Sequence, residues 1–359
     1  MKQNKSPAPP PLIDKLTALP PTGPGVKAPA IFVTPDIQPG GSEPSLFSIT
    51  RQGTATNELT KQLISPGEAF TIDPFTQIAS ITRGALQLSF IDFKEFTGLK
   101  LSTHRLLEAL IMTFTETGSQ SKTIKIGLRD YMELCGLKNL KETRKQVNAD
   151  LWAIRRTSIT FTDKTGGGPG RNYINVALAQ DHGIVNSAII LTLGDVFFEI
   201  LKSYPLMPIH RLTFKLDTRT NTNSYPLFRK IQEHKRINAG GANENTLSVK
   251  TLLGVCQGLP SYADVMAGNR NLRQRIIDPF ERDLDALEEA LSWEYCHTNG
   301  TPLTAEELEN FTYELFETLL IKATWREYPD QTALIEGKKK RAKAARARKN
   351  ASKKKGGAD

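Results

Sequence analysis

The stretch from Leu101 to Thr192 restricts the fold of this chain more than any other, because its periodicity changes in a fixed order. Leu106, Leu107, Leu110, Ile111 and Phe114 fall on one helical stripe, and Ser102 or Thr103 can cap the helix that carries them. After Gly118, the alternating run Thr123 to Ile126 predicts a short half-buried strand. A short helix is expected from Leu128 to Cys135, stopped by Gly136, and a longer one from Leu140 to Arg156, with Leu140, Val147, Leu151 and Ile154 inward. Two β-rich runs follow, Ser158 to Asp163 and Tyr173 to Ala179, joined by a loop with glycines at its tip. A third, Ala188 to Thr192, completes the set. Helix, strand, two helices and a hairpin is the order of a winged helix, with the longer helix as its reading helix and the glycine-tipped hairpin as its wing.

A similar order returns downstream. Asp195 to Lys202 predicts a short helix, and Tyr204 to Ile209, with two prolines, predicts a connector. Pro226 to Ile237 predicts a helix with Leu227, Phe228, Ile231 and Ile237 inward, ended by Gly240 and Gly241. A second helix is expected to open at Thr246 and to stop at Gly258. A long one follows from Leu272 to Leu291, with Ile276, Phe280, Leu284, Leu287 and Leu291 on one stripe. Asp278 and Pro279 interrupt that run, so it is one helix, one that kinks, or two. Ser292 to Cys296 and Leu320 to Trp325 predict a hairpin around a helical insert at Ala305 to Phe316.

Outside this duplicated body the composition changes. Residues 1–45 hold eleven of the 21 prolines and predict a disordered arm, a plain tether in the favoured reading and a recognition arm for a partner in the other. Residues 46–90 contain strand-like stretches at Ile78 to Leu88 and Leu86 to Phe93. Residues 337–359 carry eleven Lys or Arg against one acid, so the tail supplies the whole excess of the +9 net charge and the body is near neutral. The expected class is α+β: tandem winged-helix domains, with a disordered N-terminal arm (1–45) and a basic C-terminal tail (331–359). The domains are expected at 46–203, with N-terminal strands, and at 204–330. No run of eighteen apolar residues suggests a membrane span, and no apolar leader segment opens the chain. Three separated cysteines without a CxxC pair suggest buried small hydrophobes in a reducing cytoplasm.

The five histidines show neither i, i+2 nor i, i+4 spacing, and no GxxxxGK[ST] run occurs. The expectation is a binding protein rather than an enzyme, with no cofactor and no metal. On the first long helix, Lys138, Lys145 and Arg156 point away from the buried face, with Lys141 and Asn148 on its flank. Lysine and arginine reach phosphates there, while Asn148 and Gln146 offer paired donors and acceptors to adenine. Arg144 lies nearer the inner face. Lys164 and Arg171 flank the glycine tip. In the second half, Arg270, Asn271, Arg273, Gln274 and Arg275 crowd the start of the long helix, where arginines are electrostatically unfavourable without an anion. In the tail, Lys338, Lys339, Lys340, Arg341, Lys353, Lys354 and Lys355 are suited to phosphates without sequence preference. The partner expected on these grounds is double-stranded DNA.

Three phrases carry a resemblance. Leu101 to Leu107, Ile126 to Leu137, and Arg273 to Leu284 with its basic start and aspartate-proline step, are similar to segments of plasmid replication initiators of the RepA/RepE, iteron-binding type. The likeness spans about residues 95–300. It implies two winged-helix domains that bind direct repeats at a plasmid or integrated-element origin, help open the duplex, and recruit a host helicase and host initiator. It also implies an interchange between monomer and homodimer. The DNA contacts it implies lie near Lys141 to Asn148 and Arg270 to Arg275. A winged-helix transcriptional regulator that binds a single operator is the alternative.

Overall fold

The computed structural model describes residues 46–53, 56, 71–73, 78–83, 86–90, 99–162, 173–217, 219–256, 258–268, 270–332 and 336. The expected N-terminal arm, the glycine-rich loop with Lys164 and Arg171, and the lysine tail therefore lie outside the described residues.

The structure is a mixed α+β fold with two hydrophobic cores. The first core is built on α1 (Leu101–Glu116), whose Leu106, Leu107, Leu110, Ile111 and Phe114 are all buried. The expected cap differs. No side chain caps α1, because the Ser102 and Thr103 hydroxyls donate instead to the Asp150 carboxylate. Strand β5 (Thr123–Gly127) runs directly into α2 (Leu128–Leu134), and Gly136 ends that helix with φ +65°. Helix α3 (Leu140–Arg155) is capped by Asn139, whose side chain accepts from the Glu142 N–H. Val147, Leu151 and Ile154 are buried as expected, but Leu140 is half exposed, because it stands in the first turn where the helix leaves the core.

The hairpin expected as the wing pairs, but elsewhere. β6 (Thr157–Thr162) and β7 (Tyr173–Ala177) extend a five-stranded antiparallel sheet with β2 (Thr71–Asp73), β3 (Ile78–Arg83) and β4 (Leu86–Phe90), in the order β2-β3-β4-β6-β7. The strand that partners β5 is β9 (Ala188–Leu193), itself hairpinned to β8 (Ala179–Val185), a strand the periodicity does not predict. Asn186 and Ser187 both take positive φ at that turn, as a two-residue hairpin requires.

After α4 (Asp195–Ser203), the expected connector is a strand. β10 (Leu206–His210) pairs with β1 (Phe47–Arg51), joining the two halves. A two-stranded ribbon tolerates Pro208, because each strand donates to one neighbour only. A short turn of helix, α5 (Leu212–Lys215), leads into the second half.

That half repeats the first. Helix α6 (Ser224–Ile237) buries Leu227, Phe228 and Ile231, while Ile237, at its last residue, is exposed. The segment expected as a helix from Thr246 opens as β11 (Thr246–Ser248). Ser248 then caps α7 (Val249–Leu253) by accepting from the Thr251 N–H. After α8 (Tyr262–Ala267), the expected long helix is two unlike segments: a π turn at Arg273–Ile277 and α9 (Asp278–Asp285). Pro279 lacks the N–H for an ordinary α bond and its ring crowds the preceding carbonyls; the wider turn, with the Asp278 N–H bonded to the Arg273 carbonyl, absorbs both. Leu287 and Leu291 are buried, but beyond the helix. β12 (Leu291–Cys296) and β13 (Leu320–Trp325) pair as expected, around α10 (Ala305–Glu309) and α11 (Tyr313–Thr318).

The two halves share topology down to single hydrogen bonds. Their sheets run β5-β9-β8 and β11-β13-β12, first strand against last in both. Leu128 N–H donates to the Ser187 carbonyl, just before β9, and Val249 N–H to the Leu319 carbonyl, just before β13. Each half also ties its long helix to the start of its first helix by a buried carboxylate. Asp150 accepts from Ser102 and Thr103; Asp283 accepts from the backbone and side chain of Asn223, at 3.0 and 2.8 Å. The insertions differ: the strands β6 and β7 enter between α3 and β8, and two helices enter between β12 and β13.

Candidate nucleic-acid interface

The outward face of α3 follows from its amphipathic pattern. With Val147, Leu151 and Ile154 packed inward, Lys141, Arg144, Lys145, Asn148, Trp152 and Arg155 are exposed, and Lys138 and Arg156 continue this basic face past the helix ends. Arg144 is exposed rather than turned inward. Among the described residues, Lys141, Arg144, Lys145 and Arg155 have no acidic side chain in salt-bridge reach. Such a row of cations can meet phosphates without first breaking ion pairs.

Gln146 does not belong to that face. Its amide donates to Ser102 Oγ and Asp150 Oδ1, both at 3.0 Å, and it is half-buried. Asp150 gathers Thr103, Ser102 and Gln146 on one oxygen, and burial pushes its carboxyl up against the opposing pull of those bonds. Gln146 is thus a strut beneath the helix. The spacing alone does not separate it from Asn148, because both sit near the boundary of the polar face.

The last turn of α3 faces β8 across a cleft of about 590 Å³. Asn148, Trp152, Arg155 and Arg156 line one side, and Gln180, Asp181, His182 and Gly183 the other. Trp152 is 49% exposed; its ring meets that of His182 edge-on at 4.6 Å, and the Arg156 guanidinium lies 5.5 Å from its centre. Burial pushes the His182 imidazole down, and Arg155 adds to the shift against Asp181. Of these residues, the sequence pattern singles out only Asn148 and Arg156. The signal it holds for the rest is an aromatic side chain, Trp152, on the polar face of an amphipathic helix.

In the second half Arg270, Asn271, Arg273, Gln274 and Arg275 are all exposed. Asn271 acts locally, since its side-chain oxygen accepts from the Arg273 and Gln274 N–H groups and so caps the π turn. Arg273 pairs with Asp278 at 3.2 Å and reaches toward the Phe311 ring. Among the described residues Arg270, Gln274 and Arg275 have no side-chain partner; Gln274 and Arg275 stand in the π turn, and Arg270 lies just before it. The π turn rotates this basic start relative to α9, a geometry that a single straight helix would not have.

The class of the molecule is thus α+β with an internal duplication, and each half presents a basic helical face. Among solved structures, the chain is similar to two crystal structures of domains 2 and 3 of RctB. One has 12% identity, a TM-score of 0.44, and coverage of 77% of this chain and 99% of that chain. The other has 13% identity, a TM-score of 0.39, and coverage of 74% and 95%. No protein-family model matches the chain, and no curated protein matches it. Among the described residues, no helix is long and apolar enough to cross a membrane.

Proposed function

We propose that this chain is a sequence-specific double-stranded DNA-binding protein that initiates replication at a plasmid or integrated-element origin. In this reading it carries two winged-helix domains, joined near residues 203–204, and acts by binding rather than by catalysis. The observation that carries the reading is the duplication: in each half, a strand paired to a hairpin and a short helix precede a segment with an outward basic face. In the first half the wing is β8 and β9, because they pair with β5 beside α3; in the second it is β12 and β13. Two reading helices on one chain suit a long site made of repeats, and the resemblance of Arg273 to Leu284 to plasmid initiators supports the same reading. Recruitment of a host helicase and initiator, a repressing homodimer and a cytoplasmic location belong to this proposal.

The test is a titration of the full chain on duplex DNA flanking its own gene, against shuffled DNA of equal length. Tighter binding to the native sequence, with the margin over shuffled DNA reduced in Arg275→Ala and both affinities lowered alike in Lys145→Ala, supports the reading. Equal binding to both duplexes overturns it and leaves only a general affinity for phosphate.

A further inference from the structure

The two halves align residue for residue along their long helical segments. The buried carboxylates Asp150 and Asp283 occupy one position, and the same offset in sequence sets buried Thr143, Val147, Leu151 and Ile154 on buried Ile276, Phe280, Leu284 and Leu287. It also sets the start of α3, Leu140, on the start of the π turn, Arg273. The wings agree independently. Counted from Ser187 and Leu319, whose carbonyls hold the short helices, His182 opposite Leu191 matches Trp293 opposite Ala323. Each meets the long segment at the equivalent residue: Trp152 touches the His182 ring, and Asp285 accepts from the Trp293 indole N–H at 3.0 Å.

On this alignment the outward charge inverts. Lys145 and Arg155 correspond to Asp278 and Glu288, all four exposed, and Asn148 corresponds to Glu281. Arg282, a cation on α9, lies 3.4 Å from the Asp283 carboxylate. A duplex laid along α9 as along α3 would bring its phosphates to carboxylates. A carboxylate can also accept from a cytosine amino group, but those of this helix are already engaged. Asp278 pairs with Arg273, Glu281 accepts from the Tyr295 hydroxyl, and Asp285 from Trp293. The wing differs in the same sense. β8 and β9 turn at the uncharged Asn186 and Ser187, whereas residues 297–319, between β12 and β13, carry five acids and no lysine or arginine.

We propose that the second half meets the duplex only through the start of its long segment, at Arg270, Gln274 and Arg275, with α9 and the β12–β13 wing directed off the DNA. The inference rests on the DNA-binding reading and gives the two halves different docking. The first lies along its helix; the second touches by one turn.

The experiment adds a lysine at either end of the segment in the full chain: Gln274→Lys in the π turn, at the equivalent of Lys141, and Glu288→Lys beyond α9, at the equivalent of Arg155. Both side chains are exposed and neither has a partner among the described residues, so melting temperatures stay close to the parent value. The run from Arg275 to Asp285 spans about 15 Å, and the Debye length at physiological salt is about 8 Å. A charge past that end therefore acts on the DNA chiefly by contact. Salt titrations on the native duplex are expected to show a slope raised by about one unit in Gln274→Lys and unchanged in Glu288→Lys. A slope raised in Glu288→Lys overturns the inference, because α9 then lies on phosphates. An unchanged slope in Gln274→Lys also overturns it, because the π turn is then off the DNA. Either result leaves the DNA-binding reading intact. A parent chain that does not distinguish the native duplex from shuffled DNA overturns that reading, and the inference with it.

Discussion

The Arg229 guanidinium lies 2.7 Å from the Glu108 carboxylate, and the two side chains, 4% and 2% exposed, join the first helices of the two halves. Glu108 also accepts from the Tyr225 hydroxyl at 2.8 Å and from the Gln52 amide at 3.2 Å, so the end of strand β1, helix α1 and helix α6 meet at one carboxylate. Burial pushes the Glu108 carboxyl up, and Arg229 pulls it back.

Breaking this pair strands a buried charge. Glu108→Ala and Arg229→Ala are each expected to cost about 3–5 kcal/mol, measured by urea unfolding, whereas Glu108→Leu with Arg229→Met recovers a large part of it. Losses below about 1 kcal/mol, the worth of an exposed pair, would mean that the halves are not joined through these residues.

His104, on the same helix, stacks edge-on against Tyr225 at 5.3 Å. Burial holds its imidazole well below the ordinary value, with Arg229 and Arg105 adding to the shift. Burial also pushes His210 down to about 4, and its Nδ1 accepts from the Leu212 N–H, a bond only the unprotonated nitrogen can make. The unfolded chain takes up protons below about pH 6.5 and the folded chain does not, so stability falls as pH drops through that value. Each such histidine contributes a slope of up to about 1.4 kcal/mol per pH unit. His104→Phe, which keeps the ring contact, is expected to flatten the fall between pH 7 and 5 in thermal melts. An unchanged slope would mean that His104 protonates in the folded state.

Gln146 and Lys145 are neighbours with opposite roles. Gln146→Ala removes one of the bonds to Asp150 and is expected to lower stability by about 1 kcal/mol. Lys145→Ala is expected to leave stability unchanged and to reduce the salt dependence of DNA binding by about one unit of slope. A reversed pattern in denaturation and salt titrations would place Gln146, not Lys145, at the DNA.

The second half separates similarly. Asn271→Ala loses the cap on the π turn, and stability is expected to fall by about 1 kcal/mol. Arg275→Ala leaves the fold intact and costs about 1–3 kcal/mol of discrimination at particular bases if its contact is bidentate. Competition with single-base substitutions checks this. Equal losses on specific and shuffled DNA would assign Arg275 to phosphate.

Where the structure follows local pattern, the sequence is readable. The stripes of α1 and α3, the glycine stop after α2, and the pairing of Leu291–Cys296 with Leu320–Trp325 all follow from periodicity and turn residues. Long-range pairing is not. Thr157–Thr162 and Tyr173–Ala177 form the expected hairpin, but nothing local indicates that β6 joins β4 rather than β5. β8 is hidden in the sequence because Asp181, His182 and Gly183 break the apolar alternation, and on its inward face His182 meets the Trp152 ring where an apolar side chain would be expected. At the interface, exposed cations are legible from helix phase. Asn271 and Gln146 are not, because an amide suited to a base edge is equally suited to a cap or a buried carboxylate.

The measurement that tests the central claim most directly is footprinting of the full chain on DNA flanking its gene, at near-physiological salt. Evenly spaced protections over direct repeats are expected, with unpaired bases in an adjoining AT-rich stretch, and loss of the protections in Arg275→Ala. One short footprint over an inverted repeat, without opening, would make the protein an operator-binding regulator. No discrete footprint would contradict sequence-specific recognition by either half.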